Sequence, residues 1–136
     1  MGLFDFLLDK NHVLIENDLH AIFVQYCDEW AFEIYPCDKD YFVSSLVDSI
    51  TDYGKLKIEM DMSRHDFKLP LAKATVAYCE KCAHVDATRF PKGARWLLYT
   101  YKAMLSFLAT EKNLNRSDAE KFYKNMRRHL NDVYHI

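Results

Sequence analysis

Apolar residues recur every three to four positions along most of this chain, the spacing of helices that bury one face. The densest stretch is Ala94 to Ala109, ARWLLYTYKAMLSFLA. It holds no Gly or Pro, and its charges are Arg95 and Lys102 alone. On a helix, Arg95, Tyr99, Lys102 and Ser106 share one narrow strip, and apolar residues fill nearly everything else. A helix that is apolar most of the way round is buried most of the way round. The pattern therefore predicts a central helix over about 94–110. Its polar seam must reach solvent or meet acids from elsewhere in the chain, because buried charges need partners.

The other stripes supply its neighbours. Leu3, Phe4, Leu7 and Leu8 give a short amphipathic opening over Gly2–Asp9. Asn11 offers an N-cap for a helix from about His12 to Trp30, striped by Ile15, Leu19, Ile22, Phe23, Tyr26 and Trp30. Asp38 or Asp40 can cap a second helix, which carries Phe42, Val43, Leu46, Val47, Ile50 and Tyr53 and is closed by Gly54. Pro70 suits the first turn of a third, striped by Leu69, Ala72, Val76, Cys79 and Ala83. Ser117 and Glu120 form a capping box for the last helix. Ala119, Phe122, Tyr123, Met126, Leu130 and Val133 line its inner side.

One segment breaks the helical rhythm. Lys55 to Met62, KLKIEMDM, alternates strictly, as a half-buried strand does. The expected fold is mainly α: one domain over 1–136, a bundle of five or six helices around 94–110, with at most one short β ribbon pairing 31–35 with 55–62.

Composition agrees with that architecture. Half the residues are apolar, and there are only three Gly and three Pro. This excludes disorder and argues against a turn-rich β fold. No segment reaches the roughly 18 apolar residues of a membrane span. Asp5 and Asp9 replace the basic start of a secretory signal. Phe6 stands where a myristoylation signal wants Ser or Thr. The four Cys are accordingly expected as reduced thiols in a cytoplasm.

Charge changes the picture more. Net charge is only −2, yet residues 1–68 carry 14 acidic and 6 basic side chains, and residues 69–136 carry 6 and 12. The acids stand among aromatics in Asp28, Glu29, Trp30, Tyr35, Asp38, Asp40 and Tyr41. Aromatic anchors with a charged rim are the composition of protein interfaces, and an acidic rim steers a basic partner. The expected function is a non-enzymatic cytoplasmic interaction module, such as an inhibitor or immunity-type protein that masks a basic protein with this half. The alternative is nucleic-acid binding by Lys121, Lys124, Arg127 and Arg128 on the last helix, with Tyr123 and Tyr134 near enough to stack on bases. A pI of about 6.3 is low for such a module. A second copy of the chain is a further partner these patterns allow.

A metal-dependent enzyme is the third class. Cys79-x-x-Cys82 lacks a second close pair, and Cys79 sits at the centre of an apolar stripe, where small core residues belong. Glu16/His20 and Glu80/His84 have i,i+4 spacing, which surface pairs also show. His65-Asp66 resembles part of the ligand set of HD-type phosphohydrolases, but two residues in a loop carry no assignment. His129 and His135 find no partner in the sequence. No phosphate loop or nucleophile motif is present, and no cofactor, metal ligand or catalytic residue is expected.

Overall fold

The computed structural model describes residues 3–27, 36–52 and 67–136. The protein is mainly helical, with the packing of a helical bundle. Among the described residues the elements are α1 (Leu3–Tyr26), α2 (Pro36–Asp52), α3 (Lys68–Val85), a 3-10 turn (Ala87–Arg89), α4 (Ala94–Thr110) and α5 (Arg116–Tyr134). The ribbon expected at 31–35 with 55–62, and the closing Gly54, lie outside them.

α4 is the centre of the bundle, as its composition requires. It packs against α1, α3 and α5, while α2 closes over α1 and α3. Trp96, Leu97, Tyr101, Met104, Leu105 and Leu108 are all buried. An aromatic group joins the helices at one end. Phe42 of α2 stacks at a tilt on Trp96 of α4, with centroids 4.2 Å apart, and meets Phe23 of α1 edge-on at 5.5 Å. Phe90, just after the 3-10 turn, lies 6.1 Å from Phe42 and 5.6 Å from Tyr78 of α3. Such pairs add to the burial of their large apolar area. The polar seam of α4 reaches solvent: Arg95 is exposed, and Tyr99, Lys102 and Ser106 are half-buried.

Local signals in the sequence are overridden in four places. α1 runs unbroken from Leu3 to Tyr26, through Asn11. No Gly or Pro interrupts it, and a single Asn costs a helix too little to end it. It also stops short of the expected Trp30. α2 begins at Pro36, so Asp38 sits in the first turn and Asp40 inside the helix, and neither caps it. Proline suits a first helical position because its missing N–H would have no partner there. α5 is capped by Asn115, whose side chain accepts the Ser117 N–H at 2.8 Å. The Ser117–Glu120 box does not form, and Glu120 instead faces Arg116 at 3.9 Å.

The fourth departure is in which residues are covered. Phe122 and Val133 of α5 remain 42% and 53% exposed, so its buried stripe narrows to Ala119, Met126 and Leu130. On α3, Leu69 and Val76 are only half-buried, while Leu71 and Tyr78 are covered. α3 touches α4, α1, α2 and α5, and is therefore buried on more sides than one stripe predicts.

Candidate functional site

Three of the seven residues of the expected acidic and aromatic face are described, and the start of α2 presents them together. Asp40 Oδ1 lies 2.8 Å from His20 Nε2 of α1. Asp38 Oδ1 lies 3.7 Å from Lys92 Nζ, in the turn before α4. The same ammonium stands 5.9 Å from the Tyr41 ring centre. Tyr41 is nonetheless 69% exposed. On α1, Val13, His20 and Val24 fall within about 40° of one another by helical geometry, and both valines are exposed. The result is a surface with an acidic patch, one protruding phenol and two exposed aliphatic side chains. Its two described carboxylates already hold partners from the chain's own basic groups. Asp28, Glu29, Trp30 and Tyr35 lie outside the described residues.

The basic face of α5 stands differently. Lys121, Lys124, Arg127 and Arg128 are all exposed. None of the four makes an ion pair among the described residues. The tyrosines expected beside them do not stack outward. Tyr123 is half-buried beneath Lys102, whose Nζ stands 5.2 Å from the ring centre. Tyr134 is held by a hydrogen bond from the Ala87 N–H. This face therefore offers charge without aromatic platforms.

Cys79 and Cys82 belong to the core. Both are buried, and the Cys79 thiol points at the Leu97 carbonyl of α4, 3.9 Å away. Burial pushes Cys79 well above the ordinary thiol range, and burial also raises Cys82. Such thiols are poor nucleophiles and poor ligands. Burial, then Cys82 beside it, pushes Tyr78 up to about 12. No group of three or more His, Cys, Asp or Glu side chains converges on a metal position among the described residues.

One cluster escapes sequence reasoning. His84 near the end of α3 and His129 of α5 bring their rings within 5.9 Å. They border a hollow of about 190 Å³ with Glu80, Tyr101, Phe122 and Asn125. His129 Nε2 donates to the Ala83 carbonyl at 2.9 Å, which leaves Nδ1 as the acceptor of the neutral ring. Tyr101 donates its hydroxyl to Glu80 at 3.0 Å. Burial, then the Glu80 charge, raises the Tyr101 phenol far above its usual range. The Glu80/His84 spacing is visible along the chain. The approach of His129 is not, because it depends on how α5 crosses α3.

No helix among the described residues is long and apolar enough to cross a membrane. No protein-family model, curated protein or solved structure matches the chain.

Proposed function

We propose that the protein is a non-enzymatic interaction module that binds a basic protein partner through the acidic and aromatic start of α2 and the adjoining face of α1. The observation that carries this reading is Tyr41, a large aromatic side chain 69% exposed on the same turn of α2 as Asp38 and Asp40. Exposed aromatic anchors ringed by charge are where binding energy concentrates in interfaces. His20 and Lys92 hold the two carboxylates in place at the surface. Polar contacts this exposed contribute little to stability, so a basic partner can replace them cheaply. The inhibitor or immunity-type role expected from the charge split is the most concrete version. A cytoplasmic setting fits Cys27, Cys79 and Cys82, which are free thiols.

The test compares wild type with Tyr41→Ala and Asp40→Lys as baits in native lysate, at low and high salt. A partner that wild type retains and both variants lose supports the reading. Capture and association rate unchanged in both variants would overturn it.

A second reading uses α5. Four exposed basic side chains without ion pairs among the described residues favour a polyanion, such as nucleic acid, along this helix. Binding through them loses affinity steeply with salt. A flat salt response, or the same affinity in Lys124→Glu with Arg128→Glu, removes this reading.

A further inference from the structure

Lys102 and Ser106, on the polar seam of the central helix, open into a groove of about 400 Å³. It lies between the end of α1, the second half of α4 and the start of α5. Its floor is apolar, made by Leu105, Ala109 and Ala119. Tyr26 and Tyr123 stand among its lining residues. The Tyr26 ring is braced edge-on by Phe107, with centroids 5.8 Å apart. Arg116 reaches the groove from the first turn of α5, largely in solvent, and pairs with Glu120 at 3.9 Å.

Among the described residues the groove therefore combines a braced phenol, a second phenol beneath an ammonium, a guanidinium and a carboxylate. Sites for small ligands are built this way: concave, of a few hundred Å³, largely apolar, with a few polar groups that fix orientation. Lys102 is half-buried and held against Tyr123, 5.2 Å from its centre, whereas Arg95 on the same seam is exposed. We propose that this groove binds a compact aromatic anion, a ring compound bearing a carboxylate or a phosphate. The ring packs against Tyr26 and Tyr123 over the Leu105 floor. The acid group lies between Lys102 and Arg116, and a guanidinium suits either acid because it can donate two parallel hydrogen bonds. The site shares no residue with either charged face described above, so its test reads independently of theirs.

The experiment is a titration of isotope-labelled protein followed by amide NMR, at constant ionic strength. The probes are benzoate, phenyl phosphate, benzyl alcohol and inorganic phosphate. Benzoate or phenyl phosphate is expected to give saturable shifts at Lys102, Ser106, Ala119 and Tyr123. The tighter of the two identifies the acid. Benzyl alcohol and inorganic phosphate are expected to bind about tenfold more weakly, as ring and charge each contribute a comparable share. Lys102→Met is expected to weaken the best probe by about tenfold, with unfolding temperature and helical circular dichroism checked in parallel. Arg116→Gln, a surface change that leaves the fold intact, is expected to weaken it by a smaller factor. The proposal fails if no probe saturates, or if the shifts map elsewhere. It also fails if benzyl alcohol matches benzoate, if inorganic phosphate matches phenyl phosphate, or if Arg116→Gln leaves the affinity unchanged.

Discussion

Ala83 and Ala87 are four residues apart and would share a backbone hydrogen bond if α3 ran on. Instead α5 takes both halves of that bond. His129 Nε2 donates to the Ala83 carbonyl at 2.9 Å, and the Tyr134 phenol oxygen accepts the Ala87 N–H at 2.8 Å. Asp86 between them is extended, which is where the helix breaks. Two side chains on successive turns of α5 thus finish the end of α3. Tyr134→Phe is expected to cost about 1–2 kcal/mol, since it strands a buried N–H. His129→Leu should cost a similar amount. In a urea-unfolding double-mutant cycle the two should be non-additive, because each clamps the same helix end.

Thr100 is fully buried on α4, and its hydroxyl has no hydrogen-bond partner among the described residues. An unmade hydrogen bond of this kind costs about 1–3 kcal/mol. Thr100→Val keeps the shape and removes the hydroxyl. It is expected to stabilise the protein by about 1 kcal/mol, seen as a higher urea midpoint with an unchanged slope.

The cap of α5 separates two substitutions that look alike in the sequence. Asn115→Ala removes the side chain that accepts the Ser117 N–H, and should cost about 1 kcal/mol. Ser117→Ala touches a residue already inside the helix, where Ala is the better helix former, and should cost nothing or stabilise slightly. Thermal unfolding of the pair decides between the Asn115 cap and a Ser117 cap.

Alkali should weaken the fold. Cys79, Cys82, Tyr78 and Tyr101 all have raised pKa values, burial being the largest cause in each. Their ordinary values are 9.0 for the thiols and 10.0 for the phenols. As pH rises through that range, the unfolded chain loses these protons first and binds fewer than the native protein. Stability therefore falls with rising pH. It is expected to be flat in these four groups below about pH 8 and to decline through pH 9–10.5. Cys79→Ala should shallow the decline in urea-unfolding curves taken across that window.

The central helix could be read from the chain because burial on nearly every side leaves its mark on nearly every residue. Its polar seam was legible too, down to the four residues that reach solvent. The stripe on α1 from Ile15 to Phe23, and that on α2 from Phe42 to Ile50, correspond to buried residues. Helix ends were less legible. Asn11, Asp38, Asp40 and Ser117 are all good caps by residue type, yet each sits inside a helix or its first turn. Capping preference is worth about 1 kcal/mol, and continuous packing of a longer helix outweighs it. Phe122 and Val133 lie at the edge of an apolar stripe wider than the ground α5 covers on α4 and α3. The meeting of His84 with His129 depends on a crossing between helices 45 residues apart in sequence, which no local pattern encodes.

The position of α4 along the chain has a consequence for synthesis. During translation α1, α2 and α3 leave the ribosome before the helix against which α1 and α3 pack. Until residues 94–110 follow, Phe42 and Cys79 lack Trp96 and Leu97, which they meet in the folded protein. The nascent chain therefore carries these apolar faces uncovered until α4 emerges, and a fragment ending at Gly93 should be retained by chaperones as an unfinished protein.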